Sequence, residues 1–142
     1  MRAKQGLLII VLLGTAGLIQ GCGLELLLVG AGAAGTIAYV QGDLESVESE
    51  KLDVVYEAAL KAMEKLGLAV TKKSKDALSA VIVGRDAQDK KVTITLKAVA
   101  DGATRLNIRV GVFGSETKSR LIYKEIQENL KRQGLDKAGL VP

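Results

Sequence analysis

Residues 91 to 98 alternate strictly between two kinds of side chain. The even positions are apolar, namely Val92, Ile94, Leu96 and Ala98, and the odd positions are polar, namely Lys91, Thr93, Thr95 and Lys97. Successive side chains of a β-strand point to opposite faces of its sheet, so the segment is predicted to be a strand with one face in the core and one in water. Such a strand needs neighbours with the same alternation, and this limits the fold to sheets that are covered on one side.

Four runs of this type follow one another along the chain, at residues 68–73, 78–85, 91–99 and 104–112. Asp101-Gly102 is a strong hairpin signal between the last two runs, and residues 86–90 indicate a looser turn. Short connections of this kind favour antiparallel pairing, so the runs predict an antiparallel meander. Residues 39–47 are expected to supply a leading strand.

Two further segments have the spacing of amphipathic helices. The first has apolar residues at helical spacing from Leu52 to Leu66, with Ser49 as a candidate cap and Gly67 as a stop signal. In the second, which follows the candidate cap Ser115 and is expected to end at Gly134, three apolar residues share a face: Ile122, Ile126 and Leu130.

The predicted order of elements is therefore strand, helix, four strands and helix. This order predicts a two-layer α+β fold, with an antiparallel sheet of four to five strands and two helices on one face. The order is similar to that of helix-grip modules found in envelope assembly lipoproteins. We expect the domain to span residues 43–134 and to be followed by a tail at residues 135–142.

The first 22 residues have the organisation of a secretory signal. Two cations lie within residues 1–5, an apolar run of 14 residues occupies positions 6–19, and Gln20 and Gly21 precede Cys22. The run is shorter than the roughly 20 apolar residues that a spanning helix requires. A signal peptide at residues 1–21 is therefore predicted.

The end of this signal resembles a bacterial lipobox. In that motif a branched apolar residue lies three positions before the cysteine and a small residue directly before it, as Ile19 and Gly21 do here. Gln20 departs from the small or branched residue that is usual at its position. The resemblance implies signal-peptidase recognition of Ile19 and Gly21, and a covalent diacylglycerol and N-acyl lipid on Cys22 that anchor the chain in membrane lipid.

The location implied by this resemblance is the bacterial cell envelope. Gly23, rather than an aspartate, follows the cysteine, which implies the outer membrane, facing the periplasm, in a bacterium with two membranes. The alternative is an uncleaved anchor over residues 7–40 with an unmodified Cys22. Both remain open at this point.

Residues 22–42 form an apolar, Gly/Ala-rich segment that imitates a dinucleotide fingerprint. VGAGAAG at residues 29–35 fits G-x-G-x-x-G, but a helix starting near Gly35 would have to stop at Gly42. The chain also lacks the later strand and helix alternation of a parallel sheet. We therefore expect no nucleotide, and interpret the segment as a post-anchor stretch whose small residues allow close helix packing.

Composition excludes several kinds of chemistry. The chain has no His and a single Cys, so it lacks the commonest general base and cannot form an internal disulfide. Without residues 1–21 it has 18 basic and 16 acidic side chains, which gives little reason to expect nucleic acid as a partner. No catalytic residue is predicted and the protein is expected not to be an enzyme.

An acidic stretch between residues 43 and 57 is the obvious place to look for a metal site. It consists of six carboxylates: Asp43, Glu45, Glu48, Glu50, Asp53 and Glu57. Their spacing lacks the Asp-rich loop and the glycine of an EF-hand, so no metal site is expected.

The polar side of the predicted sheet is a candidate docking surface. It is basic and rich in hydroxyl groups, and is predicted to carry Thr71, Lys73, Ser79, Val81, Val83, Arg85, Lys91, Thr93, Thr95, Lys97, Arg105, Asn107 and Arg109. Its candidate docking residues are Lys91, Lys97, Arg105 and Arg109. Lipid headgroups, another anionic envelope component or an envelope protein are the candidate partners, and a merely solvated sheet face is the alternative.

Five segments of the body resemble a family of small bacterial lipoproteins known as DUF3568. They are IAYVQGDLE, LDVVYEAALKAMEKLGL, KDALSAVIVGR, KKVTITLKAV and IRVGVFGSE, in that order. The family has no assigned activity, so the resemblance implies no catalytic residues. We expect a lipid-anchored envelope protein that acts as an interaction or structural module. The rival is a carrier of small ligands or lipids with a pocket lined by Tyr56, Met63 and Phe113.

Overall fold

Six strands and two helices occupy residues 36–140, the part of the chain that this computed structural model describes. In chain order they are β1 (Ile37–Val40), β2 (Asp43–Glu48), α1 (Leu52–Lys65), β3 (Ala69–Lys75), β4 (Ser79–Arg85), β5 (Lys91–Ala98), β6 (Thr104–Val110) and α2 (Glu116–Lys137). A short 3-10 turn at Ala100–Gly102 joins β5 to β6.

The strands form one antiparallel sheet in the order β1-β2-β6-β5-β4-β3. The predicted α+β class is confirmed, and so is the meander of β3, β4, β5 and β6. The strand count of four to five was too low. The expected single strand at residues 39–47 is two strands, because Gln41 and Gly42 both have positive φ angles, 51° and 92°, and turn the chain back on itself.

Both helices pack on one face of the sheet, which we call the covered face. Its buried strand residues are Leu44, Ser46, Glu48, Ala80, Ile82, Gly84, Val92, Ile94, Leu96, Thr104, Leu106, Ile108 and Val110. The residues that alternate with them form the open face: Asp43, Glu45, Val47, Lys72, Ser74, Ser79, Val81, Val83, Arg85, Lys91, Thr93, Thr95, Lys97, Arg105, Asn107 and Arg109. Burial of apolar side chains between sheet and helices is the main source of stability.

A β-bulge corrects the predicted orientation of β3. The pairing of β3 with β4 shifts register between Val70 and Lys72, and Thr71 Oγ1 donates to the Val83 carbonyl oxygen at 3.2 Å. The extra residue moves every later side chain to the other face. Lys73 consequently pairs with Ile82 and lies on the side of the covered face, where the sequence had placed it on the open face.

The helix boundaries differ from the predicted ones in two places. Lys51, rather than Ser49, precedes α1, while Gly67 with a φ of 66° follows its end as predicted. Ser115 precedes α2, as expected, but α2 continues past Gly134 to Lys137, so the predicted tail begins inside a helix. A single interior glycine costs a helix only about 1 kcal/mol relative to alanine, and helix-forming neighbours compensate for it.

The domain also begins earlier than the predicted residue 43, because β1 is part of the same sheet. Neither α1 nor α2 is both long enough and apolar enough to cross a membrane.

Candidate docking surface on the open sheet face

The centre of the open face is built from β-branched side chains of two adjacent strands. Thr95 lies opposite Val81 and Thr93 lies opposite Val83, and all four are half-buried. Branched side chains pack well against one another on a pleated surface. The centre is therefore a flat patch of methyl and hydroxyl groups.

Cations of like sign face each other across the strands at both ends of this patch. Lys97 of β5 lies opposite Arg105 of β6, and Lys91 of β5 lies opposite Arg85 of β4. All four are exposed. Like charges directly opposite each other on a sheet lower its stability. Arg85 is neutralised by an ion pair with Asp89 at 3.2 Å, whereas the ion pairs found among the described side chains involve neither Lys97 nor Arg105.

Arg109, the fourth candidate docking residue, is engaged in holding two loops. Its Nη1 donates to Asp43 Oδ1 at 2.9 Å and to the Gln41 carbonyl oxygen at 3.3 Å. Its Nη2 donates to the Val112 carbonyl oxygen at 2.9 Å. The guanidinium thus ties the β1-β2 turn to the segment between β6 and α2, which gives Arg109 a structural part on the open face.

An open groove of about 650 Å³ lies at the end of the sheet where β5 begins. Arg85, Lys90 and Lys91 line it, and the Val112–Phe113 pair forms its other wall. Val112 is 80% exposed and Phe113, the only phenylalanine of the chain, is 92% exposed. Sequence reasoning missed this groove, because it placed Val112 in the last strand and Phe113 in an internal pocket.

The structure does not bring together the three residues of the predicted carrier pocket. Tyr56 and Met63 are buried in the core between α1 and the sheet, whereas Phe113 lies at the surface. A signal for this was available, because Phe113 and its neighbour stand between Gly111 and Gly114, and short segments bounded by glycines are typical of exposed turns.

The acidic stretch is dispersed over several environments. Asp43 and Glu45 lie on the open face, and Asp53 pairs with Lys75 near the start of α1. Within residues 36–140 no three metal-ligating side chains come together. The stretch therefore supplies structural contacts in several different places.

Glu48 is the exception in this stretch, because it is buried with only 3% exposure. Its Oε1 accepts a hydrogen bond from Ser46 Oγ and its Oε2 accepts one from Gln127 Nε2, both at 2.6 Å. Tyr123 Oη lies 3.2 Å from Ser46 Oγ, and burial raises the pKa of this tyrosine above its usual value. This polar cluster joins β2 to α2 and satisfies the buried carboxylate.

The lipidation residue Cys22, the recognition residues Ile19 and Gly21, and the glycine segment at residues 29–35 lie outside the described residues. The predictions made for them remain predictions.

Comparison with protein families matches the chain over residues 6–129 to a family described as "Protein of unknown function (DUF3568)". The chain belongs to the DUF3568 family. The resemblance seen in the five segments of the body is thereby confirmed. No curated protein matches the sequence.

The DUF3568 match covers both parts of the chain that carry functional expectations. It begins at Gly6, the first residue of the apolar run at residues 6–19, and therefore includes Cys22. It ends inside α2 and therefore includes all six strands, the open face and the groove.

Proposed function

We propose that this DUF3568 protein is a lipid-anchored lipoprotein of the bacterial cell envelope, and that its α+β domain is a non-enzymatic interaction module. In this proposal the signal is removed before Cys22, which then carries diacylglycerol and an N-acyl chain. Ile19, Gly21 and the charge and length of the preceding signal support this anchor. In a bacterium with two membranes the module faces the periplasm from the outer membrane.

The observation that carries the interaction role is the Lys97–Arg105 pair on the open face. The two residues are direct cross-strand partners, both are exposed, and both helices lie on the other side of the sheet. A pair of like charges in this position lowers the stability of the sheet. An anionic partner would turn the repulsion into attraction.

The chemistry of the partner follows from this geometry. Cβ atoms of directly opposite residues lie about 5 Å apart, so an ammonium and a guanidinium can approach one carboxylate or phosphate together. Charge-assisted hydrogen bonds of this type are stronger than neutral ones. The half-buried methyl groups of Val81 and Thr95 beside the pair add an apolar contact area. The proposed partner is an envelope component, such as a protein, with an acidic group beside an apolar patch.

The anchor is tested by replacing Cys22 with serine in the producing bacterium. The proposal predicts that the precursor persists at full length, because the acylation and cleavage steps both require the cysteine. If the Cys22→Ser chain has the same size and the same membrane location as the wild type, the protein has an uncleaved anchor and the proposal is wrong.

The docking face is tested by photocrosslinking in intact cells. A crosslinking residue at Thr95 on the open face is compared with one at Lys124, an exposed position of α2 on the opposite side. The proposal predicts a discrete adduct from position 95 only. The double substitution Lys97→Glu and Arg105→Glu should abolish that adduct, whereas Lys124→Glu with Lys131→Glu, which causes the same change in charge, should leave it intact.

Arg109 is left unchanged in this experiment, because its loss would disturb two loops. Equal adducts from both crosslinking positions, or an adduct that survives the reversal of Lys97 and Arg105, would contradict the docking role.

A further inference from the structure

We propose that Val112 and Phe113, together with the cations of the neighbouring groove, form a membrane-contact tip that docks on an anionic phospholipid surface. The tip consists of Val112 and Phe113, and its cationic rim consists of Arg85, Lys90 and Lys91. This inference rests on the proposed attachment of the chain to a membrane. It adds which end of the domain meets the bilayer and which lipid it selects.

Hydrogen bonds of the surrounding backbone keep the side chains of the tip exposed. Gly111 N donates to the Lys91 carbonyl oxygen at 2.7 Å on one side of the tip, and the Val112 carbonyl accepts from Arg109 at 2.9 Å. Hydrogen bonds of the backbone at Gly111 and Val112 therefore hold the tip in place while its two apolar side chains are exposed to water. A tip with no partner would gain stability by folding its phenylalanine inward.

Close packing of two glycines fixes the other side of the tip. Gly42 and Gly114 have φ angles of 92° and 82°, which favour glycine. A Cβ on Gly42 would lie 2.6 Å from the carbonyl oxygen of Phe113, and one on Gly114 would overlap the Gly42 carbonyl oxygen. The β1-β2 turn thus packs against the backbone of the tip. Val112 and Phe113 are therefore held in their exposed positions before any contact with a membrane.

The charges beside the tip match an anionic bilayer. Arg85, Lys90 and Lys91 line the groove. Arg85 is paired with Asp89, the one carboxylate among the described residues of the lining, so Lys90 and Lys91 supply the net positive charge. An aromatic and an aliphatic residue flanked by cations are the combination that interfacial segments use, with the apolar groups below the headgroups and the cations among the phosphates. A protein partner with a flat binding surface would instead be expected to bind the broad open face.

The reach of the anchor permits this orientation. The chain advances fourteen residues from Cys22 to Thr36, which allows a span of up to about 46 Å when extended. The eight residues of β5 span only about 26 Å. This upper limit on the length of the connection excludes neither end of the sheet, and the surface chemistry decides between them.

The chain contains no tryptophan, so a single Phe113→Trp substitution places a unique fluorescent reporter at the tip. The full chain is reconstituted in vesicles of phosphatidylcholine with or without phosphatidylglycerol. The matched reporter is Leu78→Trp, at a site that is 72% exposed in the connection before β4, at the opposite end of the sheet. We call the two variants the tip reporter and the distal reporter.

The proposal predicts a blue shift in the emission of the tip reporter and quenching of that emission by brominated lipid, both stronger with phosphatidylglycerol. The distal reporter should show neither change. Replacing Lys90 and Lys91 by alanine should lower the equilibrium constant for contact between the tip and the membrane by about fivefold for each cation removed. Replacing Lys124 and Lys131, which are exposed on α2, should not weaken it.

Equal responses of the two reporters, or no response of the tip reporter, would overturn the proposal. A response of the tip reporter to inorganic phosphate in solution, without a response to vesicles, would also overturn it and assign the groove to a free phosphoryl ligand. This test does not depend on processing at Cys22. An unprocessed chain still attaches to the vesicle through its apolar residues 6–19, so the fluorescence of the tip reporter can be measured even if the anchor proposal fails.

Discussion

The two faces of the sheet are built from the same strands but follow different rules. On the covered face Ile82, Ile94 and Ile108 have no exposed surface, and the buried Glu48 has a donor for each carboxylate oxygen. On the open face Lys97 lies opposite Arg105, which lowers stability. The buried contacts of the covered face stabilise the fold. The like-charged pair on the open face does not, and folding alone does not explain it.

The largest difference in stability between the faces is expected for substitutions at Ile94 and Thr95, which are neighbours on β5. Ile94→Ala removes a fully buried side chain and should lower the free energy of unfolding by about 2–5 kcal/mol. Thr95→Val on the open face should change it by less than about 0.5 kcal/mol. Urea unfolding of the two variants measures both values, and a similar loss in each would mean that the open face is covered too.

A smaller effect is expected at the polar end of the covered face. Glu48→Ala leaves Ser46 Oγ and Gln127 Nε2 without their acceptor, and should cost about 2 kcal/mol. Glu45→Ala is the matched change on the open face, where the carboxylate accepts one long bond of 3.4 Å from Asn107. Its cost should be close to zero. Equal losses in thermal unfolding would show that the cluster around Glu48 does not hold β2 to α2.

Arg109 and Arg105 provide a comparison within the open face itself. Arg109→Ala removes donors to Asp43, Gln41 and Val112, and should cost about 1 kcal/mol because the guanidinium is partly exposed. Arg105→Ala removes a repulsion with Lys97 and should leave stability unchanged or slightly higher. If Arg105→Ala is the more damaging variant in urea unfolding, Arg105 is structural and the docking role loses its support.

The smallest effect is expected beyond both faces, at the turn between β4 and β5. The Lys118 ammonium, followed by the backbone N–H of Lys90, lowers the pKa of Asp86 below its usual value. The folded state therefore favours the charged carboxylate, so the contribution to stability is complete above the unfolded pKa and is lost as the pH falls through the folded pKa. Stability should decline below about pH 4.

Asp86→Asn should remove this contribution to the acid limb, and Lys118→Ala should make it smaller, because loss of the largest cause of the lowered pKa brings the folded pKa closer to the unfolded pKa. Thermal unfolding between neutral and acidic pH measures the limb. An unchanged limb in both variants would show that other carboxylates control acid stability.

Much of the fold could be predicted from the sequence, because the alternation of apolar and polar residues in β4, β5 and β6 predicts which side chains lie on the covered face. The same alternation failed at Lys73, since a bulge inserts one residue and leaves no trace in composition. It also failed at Gln41, where a non-glycine residue adopts a positive φ angle that its identity does not announce.

The candidate site was predicted only in part, for reasons of the same kind. Lys97 and Arg105 are strand residues, so alternation was sufficient to place them together on one face. Phe113 lies in a connection, where no periodicity indicates direction, and an apolar side chain is expected inside. Burial of Glu48 depends on Gln127, which is distant in sequence and meets it only after α2 has packed.

The central claim is that a lipid on Cys22 holds this two-faced domain at a membrane. Its most direct test is the intact mass of the protein purified from the membranes of the bacterium that makes it. The account predicts a chain of residues 22–142 with the added mass of a diacylglyceryl group and one acyl chain. A mass equal to that of the complete sequence from Met1, with an unmodified thiol, would contradict it.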